Sequence, residues 1–159
     1  MLFRSDRVVA RVEASRADLE QDLAPFRDAI GAGVRLVMLS NVTYAALDAE
    51  RAAGWSYPIA TTLLRRELGF GGVSITDSLD GTAHSRGVTA RSLALQSAVA
   101  GVDLILLTGS EATSAAAFDL LCAEARARRI ALGTLWNSYD RILALKSGKL
   151  PAPGATLVP

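Results

Sequence analysis

Leu68-Gly69-Phe70-Gly71-Gly72-Val73-Ser74-Ile75-Thr76-Asp77-Ser78-Leu79-Asp80-Gly81 decides the fold of this chain. Gly69 reads as a helix stop, Gly72 to Thr76 as a short apolar strand, and Asp77 stands where that strand ends. In parallel α/β architectures the C-terminal ends of the strands face the ligand crevice. A carboxylate there, followed by the turn-forming Ser78-Leu79-Asp80-Gly81, occupies the position where chemistry is usually done. Asp77 is therefore the first candidate catalytic residue. Asp also caps helices and closes turns, so position alone leaves both readings open.

On the N-terminal side, Ser15-Arg16-Ala17-Asp18 resembles a capping box, and Leu19, Leu23, Phe26 and Ile30 recur at helical spacing. Pro25 should kink or restart this helix, and Gly31-Ala32-Gly33 should end it. The apolar run from Val34 to Ser40 predicts a strand buried on both faces, with Asn41 at its C-terminal end. Residues 42–57 have turn and loop character; Trp55 is assigned to packing. Pro58 then opens a helix that buries Ile59, Leu63, Leu64 and Leu68.

On the C-terminal side, a loop after Asp77 carries His84 and Arg86, and a helix from about Thr89 to Ala100 ends at Gly101. Val102 to Thr108 predicts a third buried strand, with Asp103 at its start, where stability is usually at stake, and Thr108 at its mouth. Ser110 caps a helix running to about Arg128. A last helix from about Thr134 to Lys146 is expected to turn Leu135, Ile142 and Leu145 inward and Arg141 and Lys146 outward. The expected fold class is α/β with parallel strands. Three strands would leave two long open edges, so part of the sheet is expected to lie outside this sequence. Residues 1–14 read as a weakly structured arm and 151–159 as a loose Pro-rich tail.

Composition excludes several classes. Seventeen Lys and Arg against sixteen Asp and Glu, scattered along the chain, give no footprint for nucleic acid. Cys122 and His84 are the only residues of their kinds, so neither a disulfide framework nor a Cys/His zinc site can form within one chain. No metal or organic cofactor is expected. No run approaches the roughly 18 apolar residues of a membrane span, and the opening has no apolar leader. As written the chain reads as soluble and cytoplasmic; a signal peptide or lipid anchor would precede residue 1 of a longer protein. The expected partner is a small molecule or another protein.

Three ordered segments carry a family resemblance: Asp22 to Asn41, Leu63 to Leu79, and Ala100-Gly-Val-Asp-Leu-Ile-Leu-Leu107. Together with Asp140-Arg-Ile-Leu-Ala-Leu-Lys146 they resemble the second half of the catalytic barrel of glycoside hydrolase family 3, nearest its bacterial β-N-acetylhexosaminidases, over about residues 7 to 150. The resemblance implies a partial (β/α) TIM-type barrel comprising about the last three βα units, within residues 15–150. It also implies that Asp77 is the nucleophile of a retaining glycosidase acting on a β-linked amino sugar or glucoside. In the resembled subgroup the proton donor is a His on an earlier loop, in a Lys-His-Phe-Pro-Gly-His-like segment that has no counterpart here. His84, seven residues after Asp77, does not match it. Asn41, where many relatives carry His, and Thr108, His84 and Arg86 are the further candidates for sugar contact. A complete barrel takes about 250 residues, so the expectation is a truncated, split or degenerate enzyme with little or no turnover alone, and a second chain or self-association completing the barrel.

Two rival readings remain. Asp77-Ser78-Leu79-Asp80-Gly81-Thr82 resembles the loop of haloacid dehalogenase-type phosphatases, with one residue too many between its carboxylates. The other rival is a non-catalytic half-barrel that associates through its open sheet edges.

Overall fold

The computed structural model describes residues 10–148. The first nine residues of the expected arm, and the tail over 151–159, lie outside the described residues. The chain is α/β with parallel strands. Its elements are β1 (Arg11–Val12), α1 (Arg16–Asp22), α2 (Ala24–Gly31), β2 (Leu36–Leu39) and β3 (Thr43–Tyr44). A short 3₁₀ turn (Ala53–Trp55) and a π-wound helix (Pro58–Glu67) follow, then β4 (Val73–Thr76), α3 (Leu79–Ser85), α4 (Ala90–Val99), α5 (Glu111–Arg126) and α6 (Leu132–Ser147).

The local signals act where the sequence put them. Ser15 and Asp18 form a reciprocal capping box at the start of α1, and the break before Pro25 falls between α1 and α2. Gly69 adopts φ +67°, the left-handed conformation that stops the π-wound helix at no steric cost. The helix closes with Leu68 N–H donating to Leu63 O at 2.9 Å, a bond five residues back.

β2 and β4 pair in parallel, Leu36 beside Val73 through Leu39 beside Thr76. β1 and β3 form a second parallel pair. The third strand expected over Val102–Thr108 is reduced to a single bridge between Ile75 and Leu104. Side chains intercept the rest of its ladder: Thr76 Oγ1 accepts the Leu106 N–H at 3.0 Å, and an Asp103 carboxylate oxygen accepts the Ser74 N–H at 2.9 Å. The segment still runs alongside β4, because Leu104 N–H donates to Ser74 O and Thr76 N–H to Leu104 O.

β2 is not buried on both faces. Leu39 joins a core with Ile59, Leu63, Leu64, Phe70 and Val102, against which Val37 packs. The opposite face leaves Leu36 40% and Met38 51% exposed, because no element covers it among the described residues. An apolar hollow of about 250 Å³ opens beside this strand, lined among others by Leu19, Leu23, Phe26, Met38 and Tyr44. A second core gathers Trp55, Leu79, Leu93, Ala94 and Ala117, so it joins α3, α4 and α5. At about 1.5–3 kcal/mol per fully buried large apolar side chain, these two clusters are the main stabilising term.

Two further expectations are corrected. The segment after Asp77 is not all loop: Leu79–Ser85 is helical, with Leu79, Thr82 and Ala83 buried, so His84 lies on a last helical turn. Arg141 does not face outward. Its guanidinium meets Asp103 at 2.7 Å, with only 12% of the Arg141 side chain exposed. Asp103, its side chain wholly buried, also accepts from Arg65 at 2.6 Å, Ser138 at 2.7 Å and Ser74. This cluster clamps α6, the π-wound helix and the start of β4 together at the N-terminal end of the sheet. Burial pushes the Arg65 guanidinium down to about 10, against the pull of Asp103. No helix among the described residues is long and apolar enough to cross a membrane.

Candidate active site

Because β2, β4 and the 102–108 segment run parallel, Asn41, Asp77 and Thr108 emerge at the same, C-terminal edge of the sheet. Asp77 N–H donates to Leu39 O at 2.9 Å, so the carboxylate begins where the β2–β4 ladder ends. Asp77 itself is partly buried.

Ser78, which sequence reasoning passed over, joins the three candidates. Its N–H donates to Asp77 Oδ1 at 2.7 Å, its carbonyl accepts from Asn41 Nδ2 at 2.7 Å, and its Oγ lies 2.7 Å from Thr108 Oγ1. Its hydroxyl is thus turned to Thr108 and makes no cap bond to α3. Asn41 is 1% exposed, and its Oδ1 is buried without a hydrogen-bond partner. A stranded acceptor of this kind costs about 1–3 kcal/mol, which cancels what its one bond contributes.

Asp80 is committed elsewhere. One of its oxygens accepts from the Thr108 N–H at 2.7 Å and the Gly109 N–H at 3.1 Å, holding the loop that carries Thr108. A Cβ at position 109 would collide with this carboxylate, so any larger residue would push Asp80 from its present position. The Asp77-x-x-Asp80 spacing signalled this arrangement only as a turn.

Arg86, the residue that closes α3, lies against Trp55 with its guanidinium 5.0 Å from the ring centre, and donates to Thr43 Oγ1 at 3.3 Å. Its Nε is buried without a partner, and burial lowers the affinity of the group for its proton. Trp55 is 3% exposed, in keeping with its assignment to packing. His84 is exposed on the last turn of α3. The structure therefore brings Asn41, Asp77 and Thr108 together through Ser78 and ties Arg86 to Thr43 and Trp55. Among the described residues no group of three or more His, Cys, Asp or Glu side chains is placed to hold a metal ion.

A parallel sheet with a carboxylate at the C-terminal edge of a strand places that group where α/β folds form their ligand crevice. The chain belongs to glycosyl hydrolase family 3, matching the model of its N terminal domain over residues 5–145. It is 35% identical over 152 residues to an uncharacterized secreted glycosyl hydrolase of Arthroderma benhamiae, covering 90% of this chain and 41% of that protein. It is 38% identical over 109 residues to a beta-hexosaminidase of Vibrio cholerae, covering 67% of this chain and 32% of that one. Among solved structures, it is similar to a glycoside hydrolase family 3 beta-N-acetylglucosaminidase from Paenibacillus, with TM-score 0.85 and 34% identity, covering 99% of this chain and 32% of that chain. The chain thus spans between about a third and two fifths of the length of these relatives.

Proposed function

We propose that this chain carries the nucleophile half of a retaining β-glycosidase, with Asp77 as the attacking carboxylate and a β-linked amino sugar or glucoside as substrate. The observation that carries the reading is the position of Asp77: a carboxylate at the C-terminal edge of β4, in a chain of family 3. Relatives named beta-hexosaminidase and beta-N-acetylglucosaminidase favour an N-acetylated amino sugar. On this reading the two parallel strands and the bridged 102–108 segment are the last strands of a partial (β/α) barrel.

The chemistry follows from the residue type. A carboxylate oxygen of Asp77 attacks the anomeric carbon, the bond from that carbon to the leaving oxygen breaks, and a glycosyl ester forms. An unactivated leaving group needs a proton as it departs. Asp80 is held by two backbone amides, and His84 sits exposed on α3, so neither is assigned that role. The chain alone is expected to turn over natural glycosides little or not at all. Thr108 and Arg86 are assigned to the rim of the sugar site. The haloacid dehalogenase reading is set aside, since it needs Asp80 as an acid/base and finds no support in the family match.

The test is incubation of the chain with a 2-fluoro glycoside bearing an activated leaving group, followed by intact-protein mass spectrometry of wild type and Asp77→Ala. Such a leaving group departs as an anion without acid catalysis. A glycosyl adduct present in wild type and lost in Asp77→Ala is the expected result. A folded wild-type chain that forms no adduct sinks the reading. It would favour the second one, a non-catalytic module that associates with a second chain or another copy through the open edge of β2 and its uncovered face, where Leu36 and Met38 are exposed.

A further inference from the structure

We infer that Asn41 is a positioning residue for Asp77, an inference that rests on the reading of Asp77 as the nucleophile. The turn from β4 into α3 is two residues, Asp77 and Ser78, with Ser78 held at φ −57°, ψ 124°. Two neighbours hold that residue from outside. Asn41 Nδ2 grips its carbonyl, and Thr108 Oγ1 lies against its hydroxyl. Fixing the carbonyl fixes the plane of the following peptide. With the φ and ψ of Ser78 set, the Ser78 N–H is aimed at Asp77 Oδ1, 2.7 Å away. One carboxylate oxygen is thereby pinned, and with it the rotation of the group.

The bonding of Asn41 fits this task better than a purely structural one. Its amide is buried from solvent, makes one bond and strands one acceptor, so it adds little net stability to the sheet. What it supplies is placement. Geometry of this kind matters because a nucleophile displaced by about an ångström can lose about 100-fold in rate.

Two measurements test the inference on the full chain. The first is hydrogen exchange at the Ser78 amide, read by NMR, which needs no activity. The second is the rate of Asp77 adduct formation with the 2-fluoro glycoside, resolved into a limiting rate and a half-saturating concentration. In Asn41→Ala the Ser78 amide is expected to exchange at least about tenfold faster, and the limiting rate to fall about 10- to 100-fold, with the half-saturating concentration unchanged. Asn41→His, which keeps a ring N–H donor, should recover much of both. A limiting rate in Asn41→Ala equal to that of wild type overturns the inference and leaves the nucleophile reading intact. So does a loss confined to the half-saturating concentration. A wild-type chain with no Asp77-dependent adduct overturns the nucleophile reading, and the inference falls with it.

Discussion

Asp77 and Asp103 sit at opposite ends of the same sheet, in surroundings that, on the proposed reading, divide chemistry from stability. At the N-terminal end, Asp103 is wholly buried and held by two arginines, Ser138 and both the amide and hydroxyl of Ser74. At the C-terminal end, Asp77 is only partly buried and takes the amide of the next residue, Ser78. A carboxylate enclosed by several charged and polar donors serves the fold. One placed at the C-terminal edge of a parallel sheet stands where α/β folds form their ligand crevice.

The sharpest way to break this division is at Asp103. Asp103→Ala leaves Arg65 and Arg141 buried together without their anion, an arrangement expected to cost about 3–5 kcal/mol. Urea unfolding followed by circular dichroism should show it as a large fall in midpoint or as a chain that does not fold. A loss below about 1 kcal/mol would show that the clamp is not structural. Asp80→Ala comes next: the Thr108 and Gly109 amides lose their acceptor, expected to cost about 1–2 kcal/mol and to loosen the rim without touching the clamp. Asp77→Ala should cost no more than about 2 kcal/mol, well short of the Asp103 loss, while abolishing the glycosyl adduct, the reverse of the Asp103 result.

The smallest expected effect lies away from both carboxylates, at Asp48. Its partial burial works to raise its pKa, but bonds from Ser56 Oγ and the Glu50 and Arg51 amides prevail and leave it below the ordinary carboxylate value. A carboxyl with a lowered folded-state pKa contributes stability that is fully present above the unfolded value of about 4, and is lost as the pH falls through the folded one. The difference in urea midpoint between wild type and Asp48→Asn should therefore be largest near neutrality and shrink in acid. A difference that does not vary with pH would remove Asp48 from the acid-labile set.

Much of this layout was legible in the sequence. Gly69 stopped its helix, Ser15 capped α1, and the alternation of helix and apolar run placed Asn41, Asp77 and Thr108 at one edge of a parallel sheet. What was hidden depends on side chains that replace backbone pairing. Nothing in Val102–Thr108 shows that Thr76 Oγ1 and the Asp103 carboxylate will take amides from the ladder, so a full strand was expected where one bridge forms. Arg141 reads as a solvent-facing charge until its buried anion is known. α3 was missed because Gly81 and its polar residues mask Leu79, Thr82 and Ala83, whose burial comes from packing on α4. Ser78 carries little signal, since two of its three contacts run through backbone groups that every residue but proline possesses.

The clamp at Asp103 also sets an order of events during synthesis. It joins positions 38 residues apart twice over, Arg65 to Asp103 and Asp103 to Arg141. Chains emerge N-terminal end first, and contacts between distant positions form late because closing the intervening loop is entropically costly. Arg65 is made long before its counter-ion, and the base of the sheet cannot be sealed until most of α6 has followed. The nascent chain therefore keeps that end of the sheet unsealed until the α6 segment carrying Arg141 has emerged.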